Sequence, residues 1–294
     1  VTSGFRRGEV DSGSTITVNA ICCAMRTEHR SLEIAQLVDR LRSWDDKVVA
    51  FDLAGAETGF PPSLHAEALT FARGALLNIT IHASEPPDLE LISDALSHGA
   101  HRIGHGVRLR ADTSLVDPSA ASDDLVLGPL AQYVLDHQIH LEMAPTCNVQ
   151  IGAVPSVAEH PVGPFLRAGF SVGLNTDNRL MSNVRPSSEL HAVAIAHDLS
   201  LAEAEQLAVS LGVSVLITTA RGAELPATRR YPVWSGLPRS VQGYLGKFEV
   251  QWDQINPIDL ETCTRCNACI RACPEQAIDF TYQVDLTRCK SHRA

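Results

Sequence analysis

Four residues that could carry out hydrolysis stand at the ends of short apolar runs. His82 and Glu85 end one run, His105 ends the next, and Asp177 ends a later one. A hydrolytic zinc site needs imidazole and carboxylate ligands, an open position for water, and a separate group that moves protons. His82 and Asp177 could ligate zinc, Glu85 could transfer a proton, and His105 could orient the attacking water. The pattern therefore predicts a catalytic zinc centre.

Each of these residues alone has an ordinary structural explanation. A single histidine after a strand is more often structural, and a single aspartate there usually caps a helix. Their order on consecutive strand ends favours the catalytic interpretation. Glu57 and Glu142 also stand at strand ends, and we expect structural roles for them. The histidines in helix or loop contexts are expected at the surface, namely His98, His137, His140 and His160.

A dense cysteine run marks the last part of the chain. Cys263, Cys266, Cys269 and Cys273 are spaced C-x2-C-x2-C-x3-C, and Pro274 follows. This is the spacing of bacterial ferredoxins, and it wraps the backbone around one corner of a 4Fe–4S cluster. A structural zinc site is the alternative, but such sites usually place two cysteine pairs far apart. The run therefore predicts iron–sulfur chemistry.

The elements that must position the first group alternate between six β-rich runs and helical segments. Alternation of this kind predicts βαβ units and a parallel sheet of the α/β class. An open doubly wound sheet is the alternative, but its Gly-rich phosphate loop is absent. We therefore predict a TIM-like (β/α) barrel, which is incomplete because such a barrel has eight strands. The runs are 15–25, 48–54, 78–83, 101–107, 139–143 and 170–176.

The composition argues against two classes of partner. The formal net charge of the 294 residues is −10, which disfavours nucleic acid. No apolar run approaches the roughly 18 residues of a membrane span. The eight cysteines include Cys22, Cys23 and Cys147 in apolar surroundings, and their uneven spacing does not suggest disulfides. We therefore expect a reducing compartment, the cytoplasm.

Five segments resemble the successive strand-end motifs of the adenosine deaminase family. The likeness runs from about residue 15 to residue 220 and implies a TIM-like barrel of the metal-dependent amidohydrolase superfamily. The implied reaction is hydrolytic removal of the 6-amino group from adenosine or deoxyadenosine, with release of ammonia. The segments are 52–57, 82–85, 101–106, 141–148 and 175–178.

The resemblance also implies residue roles. His82 and Asp177 would be zinc ligands, and Glu85 would protonate the purine ring nitrogen. His105 would assist the zinc-bound hydroxide. The substrate purine would be contacted by Gly55 and Asn178.

Three departures from the family pattern bear on activity. The sequence has no His-x-His pair, which in the family completes the zinc site. Ser84 replaces a glycine, and Asn178 replaces a second aspartate. We therefore expect weak zinc binding and impaired deamination in this chain. The substrate choice stays open, since related enzymes take adenine or aminofutalosine.

The cysteine run resembles two-cluster 4Fe–4S ferredoxin domains. In that family the fourth cysteine of a run serves the other cluster, so Cys273 would pair with Cys289 on a second cluster. A single cluster held by the four cysteines of the run is the alternative. We expect a barrel domain over 1–221, a linker over 222–247, and an incomplete, small α+β ferredoxin-like domain over 248–294. The alternative function is an electron carrier with an electron-transfer partner and the barrel as passenger.

Overall fold

A computed structural model gives the fold of the chain. It describes residues 2–11, 17–116, 124–210, 216–218, 233–244, 247–254, 258, 263–264, 266–278 and 284. The chain divides into two compact units, and each is described by itself. The first contains Val1–Val10 and Thr17–Leu199, and the second contains Asp11–Ile16 and Ser200–Ala294. Within the described residues, no helix combines the length and apolar character needed to cross a membrane.

The first unit is built on eight strands, six of which form one sheet. The eight are β1 (Ala20–Met25), β2 (Val48–Ala54), β3 (Asn78–Ala83), β4 (Arg102–His105), β5 (Thr113–Leu115), β6 (Leu125–Leu127), β7 (His140–Met143) and β8 (Val172–Leu174). The sheet has the order β1-β2-β3-β4-β7-β8, and every neighbouring pair is parallel. The short strands β5 and β6 pair antiparallel to each other. Each of the six predicted runs contains one strand of the parallel sheet, which confirms the α/β class.

Helices connect the strands of the first unit. They are α1 (Thr2–Asp11), α2 (Ser31–Arg42), α3 (Ala66–Gly74), α4 (Glu90–Ser97), α5 (Pro129–Asp136), α6 (Pro145–Gln150), α7 (Val162–Arg167), α8 (Arg179–Ser182) and α9 (Pro186–Ala196). Short 3-10 helices span Pro62–His65, Val107–Asp112 and Val157–Glu159. Three of the α-helices begin with proline, whose fixed φ suits the first helical position and whose missing N–H is not needed there. On α2 the buried residues Ser31, Ala35 and Val38 lie one turn apart on one face.

The core of the first unit lies against the parallel sheet. Strand β2 is buried along most of its length, as expected for a parallel strand covered on both faces. The helices contribute apolar side chains at Leu69, Ile92 and Phe165, which are almost fully buried. The fully buried strand side chains include Phe51, Leu53, Ile79, Ile81, Ile103 and Leu141. This packing fixes the strands rigidly, so their carboxyl ends can hold side chains in defined positions.

The second unit contains α10 (Leu201–Ser210), β9 (Leu216–Thr218), β10 (Val233–Tyr244), β11 (Lys247–Gln254) and α11 (Ala268–Ala272). Its three-stranded sheet has the order β11-β10-β9, in which β10 is antiparallel to β11 and parallel to β9. Strand β10 lies within the segment 222–247, for which the sequence predicts a linker. Proline and glycine suggested a loop there, but Pro238 sits at a register shift of the β10–β11 ladder, where a bulge tolerates proline.

Candidate active site

The carboxyl ends of the parallel strands bring three predicted residues together. In the ladder of β3 and β4, His82 pairs with Gly104 and Ala83 with His105, while Asp177 lies just beyond β8. One ligand atom from each of His82, His105 and Asp177 lies within 4.8 Å of the others. A cavity of about 250 Å³ opens beside them, lined by His82, Gly104, His105, Glu142, Ala144, Asn175, Thr176 and Asp177.

The ring of His82 is oriented by two neighbours. Its Nδ1 lies 3.1 Å from Oδ1 of Asp52, so the carboxylate accepts the Nδ1 proton and leaves Nε2 free to ligate. A Cβ at Gly104 would lie 2.9 Å from Cγ and Nδ1 of His82, so only glycine fits beside the ring. Burial lowers the pKa of His82, but the hydrogen bond and charge of Asp52, with the charges of Glu142 and Asp177, outweigh it and raise the pKa.

Glu85 and His105 form a second pair beside this group. Nε2 of His105 lies 3.1 Å from Oε1 of Glu85. Burial raises the pKa of Glu85, and the charge of Asp177 acts in the same direction. Burial, followed by the charge of His82, lowers the pKa of His105 to about 4. A carboxyl that tends to keep its proton thus lies beside an imidazole that tends to stay neutral, a combination suited to proton transfer.

The backbone around these side chains adopts left-handed conformations that non-glycine residues rarely take. Ser84, His105 and Asp177 have φ values of 71°, 62° and 48°. Such residues cost roughly 1–3 kcal/mol each and persist only where the surroundings hold them. At Ser84 the holding group is Glu57, whose carboxylate accepts the N–H of Ser84 at 2.6 Å and the N–H of Glu85 at 3.2 Å. The structural role expected for Glu57 agrees with these contacts.

Arg26 is a buried cation beneath the strand ends, and the sequence reasoning missed it. Its guanidinium donates to the carbonyl oxygens of Leu53, Phe60 and His82, and so links three segments. Burial lowers the pKa of Arg26, and the charge of Glu57 is the largest influence that opposes this. An arginine directly after the first strand gave no metal or catalytic signal, because a charged residue in that position is usually at the surface.

The donor set fits a zinc ion. Catalytic zinc is usually held by three protein ligands of imidazole and carboxylate type, at about 2.0–2.2 Å from the metal. His82 and Asp177 supply one donor of each type, and their ligand atoms lie within 4.8 Å of each other and of a ring nitrogen of His105. The Asp52–His82 pair adds the carboxylate contact that orients metal-binding histidines.

Two residues implied as purine contacts do not line the cavity. Gly55 has a φ of 104°, and a Cβ there would lie 2.9 Å from Cε of Met25. The backbone conformation and the close packing therefore explain why glycine occupies position 55. Asn178 is exposed, and its Oδ1 accepts the N–H of Met181 at 3.2 Å as the N-cap of α8. Their substrate contacts stay predictions.

Three surface expectations for histidines differ from the structure. His160 is fully buried, and its Nε2 lies 3.1 Å from Oδ1 of Asn148. His140 is half-buried and pairs its Nδ1 with Oγ of Ser171 at 2.9 Å, while His98 is half-buried at the end of α4. His137 is exposed, as expected. The surface prediction was wrong for these rings because hydrogen bonds to residues distant in sequence offset the free-energy cost of burying them. Sequence periodicity does not reveal such partners.

Cys147 has a polar partner that its apolar neighbours in sequence did not predict. Its Sγ donates to Oδ2 of Asp177 at 2.8 Å. Burial, followed by this hydrogen bond, raises the pKa of Cys147 to about 12, so the sulfur keeps its proton. The thiol therefore supports the carboxylate of Asp177 as a hydrogen-bond donor.

In the second unit, the cysteine run surrounds α11. Cys263, Cys266, Cys269 and Cys273 all have free thiols. The N–H of Ala277 donates to Sγ of Cys273 at 3.3 Å. Hydrogen bonds, first from the backbone of Ala268 and then from Thr264, lower the pKa of Cys266. Amide donors aimed at sulfur are suited to ligands of an anionic cluster. Cys289 lies outside the described residues.

Comparison with known proteins matches both parts of the chain. A family model described as adenosine deaminase matches residues 1–225, and one described as a 4Fe-4S binding domain matches residues 257–279. An adenosine deaminase of Mycobacterium sp. (strain KMS) is 45% identical over 194 residues, covering 65% of this chain and 52% of the relative. Adenosine deaminase 1 of Streptomyces coelicolor is 42% identical over 221 residues, covering 74% and 54%. The chain thus spans about half the length of these curated relatives.

A solved structure agrees on the fold. Adenine deaminase from Arthrobacter aurescens superposes with a TM-score of 0.58 at 24% identity, covering 71% of this chain and 59% of that one. This likeness and the six-stranded parallel sheet define an α/β fold of the TIM-like barrel type. Together with the family match, this shows that the chain belongs to the adenosine deaminase family. The family match runs past the boundary at Ser200, and the domain limits at 221 and 248 stay predictions.

Proposed function

We propose that this chain carries out zinc-dependent hydrolytic deamination of adenosine, deoxyadenosine or a related 6-aminopurine, with release of ammonia. The observation that carries the proposal is the convergence of His82, His105 and Asp177, whose ligand atoms lie within 4.8 Å of one another beside a cavity. The adenosine deaminase names of the curated relatives support the substrate class.

The zinc ion would be held by His82 and Asp177. When bound, zinc lowers the pKa of water and so supplies a nucleophile near neutral pH. Asp52 orients His82 by its contact with Nδ1, and Cys147 donates to Oδ2 of Asp177. Both contacts limit the rotation of the ligand side chains. A fixed orientation of the ligands raises metal affinity.

Glu85 would donate the proton that activates the purine. Burial raises its pKa, which favours the protonated carboxyl that a proton donor to a ring nitrogen requires. Protonation of that nitrogen makes the adjacent amine-bearing carbon more electrophilic. His105 lies 3.1 Å from Glu85 and borders the cavity, so it can orient the attacking water. Asn178 would donate its amide to a purine nitrogen, and Gly55 would leave room for the ring.

An ammonia-release assay tests the proposal directly. The full chain is supplied with zinc and assayed with adenosine, deoxyadenosine and adenine, and zinc content is measured in parallel. Glu85→Gln should lower kcat by about 100-fold or more without loss of zinc, because it removes the proton donor. Glu67→Gln makes the same change on the exposed face of α3 and should leave kcat unchanged. A wild-type chain without activity on any 6-aminopurine, or equal effects of both substitutions, contradicts the proposal. The zinc measurement also tests the predicted weak affinity.

We propose in addition that the cysteine run binds a 4Fe–4S cluster. Four free thiols with nearby amide donors, and the match of residues 257–279 to a 4Fe-4S binding domain, support this. Cys263, Cys266 and Cys269 would serve one cluster, and Cys273 would serve either the same cluster or a second one with Cys289. Such a cluster would pass electrons to a partner protein. Free thiols and an oxygen-sensitive cluster both suit the reducing cytoplasm.

Iron and sulfide analysis after anaerobic reconstitution tests the cluster. The full chain should gain iron, acid-labile sulfide and a visible charge-transfer band. Cys266→Ser should lose most of all three signals. Cys23→Ser removes an exposed cysteine outside the run and serves as the matched control. Zinc in place of iron and sulfide would show a structural zinc site instead.

A further inference from the structure

The ring of His105 lies between two polar side chains that determine its hydrogen bonding. Nε2 lies 3.1 Å from Oε1 of Glu85, and Nδ1 lies 3.1 Å from Nδ2 of Asn148. A neutral imidazole carries one proton, on either Nδ1 or Nε2, and its neighbours decide which. The nitrogen that carries the proton determines whether His105 donates toward the reacting atoms or accepts from them.

The position of the proton on His105 is determined by the backbone N–H of Val162, which is connected to it through His160 and Asn148. The N–H of Val162 donates to Nδ1 of His160 at 3.1 Å. A backbone N–H can only donate, so Nδ1 of His160 carries no proton and the ring is neutral. The single proton of His160 is therefore on Nε2. Burial, followed by the charges of His197 and His105, lowers the pKa of His160 to about 3, which agrees with a neutral ring.

The side-chain amide of Asn148 contacts both His160 and His105, so the proton on Nε2 of His160 determines which end of the amide faces His105. Nε2 of His160 lies 3.1 Å from Oδ1 of Asn148, so the amide oxygen accepts the proton of His160. The opposite amide orientation would place an NH2 group against an N–H group, which is unfavourable in a buried position. Asn148 and His160 are fully buried, and His105 is 4% exposed, so water does not compete for these bonds. The NH2 group of Asn148 must therefore face Nδ1 of His105.

We infer that Asn148 and His160 are positioning residues that hold His105 in the tautomer with its proton on Nε2. In that tautomer Nδ1 accepts from Asn148 and Nε2–H donates to Glu85 or to the oxygen of the attacking water. A protonated Nε2 cannot ligate, so His105 leaves the metal to His82 and Asp177 and acts as a hydrogen-bond donor. The catalytic part of this inference rests on the proposed deaminase function, whereas the tautomer follows from the hydrogen bonds alone.

Nitrogen NMR of the full chain labelled with 15N-histidine tests the tautomer without any reference to activity. His105→Gln assigns the His105 signals by their disappearance. In the wild type we expect Nε2 of His105 to be protonated and Nδ1 unprotonated. Asn148→Asp presents an oxygen to Nδ1 and should move the proton there. His160→Leu removes the donor that orients Asn148 and should give a mixture of tautomers. His160→Gln retains an amide donor near Nε2 and should restore the wild-type spectrum.

Kinetics then test the catalytic part. Asn148→Asp and His160→Leu should each lower kcat by about 10- to 100-fold with little change in KM, the usual cost of losing an orienting partner. His160→Gln should recover most of kcat. His191→Leu removes an exposed histidine of α9 and should have no effect. Circular dichroism of each variant identifies any that fails to fold, and the wild-type spectrum decides the tautomer even then.

Two results overturn the inference: a wild-type His105 protonated on Nδ1, or a His105 spectrum unchanged in both folded variants. An unchanged kcat in variants whose tautomer has shifted overturns its catalytic part. If the wild-type chain shows the expected tautomer but no deaminase activity, the result contradicts the proposed function and still establishes the tautomer. The two failures are therefore distinguishable.

Discussion

The carboxylate of Glu57 accepts the backbone N–H of Ser84 at 2.6 Å. It also accepts the N–H of Glu85 at 3.2 Å. Glu57 follows β2 and Ser84 follows β3, so the contact joins the carboxyl ends of neighbouring strands. Because it fixes the backbone that carries Glu85, a residue without catalytic chemistry of its own determines where the proposed proton donor points.

Glu57→Ala should therefore affect both stability and catalysis. It leaves two backbone N–H groups without their acceptor and removes an anion near the buried guanidinium of Arg26. We expect the free energy of unfolding to fall by about 1–3 kcal/mol and kcat to fall with it. Urea unfolding and the ammonia assay measure the two effects. Glu67→Ala on the exposed face of α3 is the control, and equal effects of the two substitutions would contradict this role.

Ser84 is the clearest place where a substitution should stabilise the chain. It has a φ of 71°, and its fully buried Oγ has no hydrogen-bond partner. Ser84→Gly removes both penalties, whereas Ser84→Ala removes only the hydroxyl. We expect Tm to rise in both, and more in Ser84→Gly, since relief of a left-handed residue is worth about 1–2 kcal/mol. If Ser84→Ala is as stable as Ser84→Gly, the backbone at this position carries no such strain.

The fold was predictable to a large extent because its signals are local. Short β-branched runs alternate with amphipathic segments, and each run proved to contain one strand of the parallel sheet. The strand β10 inside the predicted linker has a local explanation too. Proline usually indicates a loop, but Pro238 lies at a register shift of the β10–β11 ladder, where a bulge tolerates it. Sequence alone does not show which residue of a strand will sit at a bulge.

The site was predictable only in part because its supporting contacts join distant residues. His82, Glu85, His105 and Asp177 were found because their order on strand ends is a pattern in sequence. The partners that orient them were missed or misplaced. His160 contacts Asn148 in a buried position, and Arg26 reaches carbonyl oxygens more than twenty residues away. Nothing local in the sequence indicates these contacts, since each depends on how the strands and helices pack.

Gly104 should be required for the shape of the metal site. A Cβ at this position would lie 2.9 Å from Cγ and Nδ1 of His82 and 3.1 Å from its Cα, so the ring and backbone must both move. We expect Gly104→Ala to weaken zinc binding and to lower the free energy of unfolding by about 1–3 kcal/mol. Zinc titration and urea unfolding measure these effects. Gly74→Ala, where a Cβ meets no atom within 4 Å, is the control and should leave zinc binding unchanged.

The buried His160 should make the chain less stable in acid. Its pKa is lowered to about 3 in the folded state, compared with about 6.5 in an unfolded chain. Between these pH values the unfolded state binds a proton that the folded state does not, so folding stability falls as pH decreases. One such histidine contributes a slope of about 1.4 kcal/mol per pH unit in this window, and its contribution to the slope vanishes above about pH 7.

His160→Gln separates this contribution from those of other groups, because glutamine can donate to Asn148 but does not titrate. His105 and His140, whose pKa values are both lowered to about 4, remain in the variant and contribute equally to both proteins. Urea unfolding at intervals from pH 7.5 to about pH 5 should therefore show a shallower loss of stability in His160→Gln than in the wild type. Parallel curves would mean that His160 is protonated in the folded chain. That result would also be incompatible with an N–H of Val162 donating to its Nδ1.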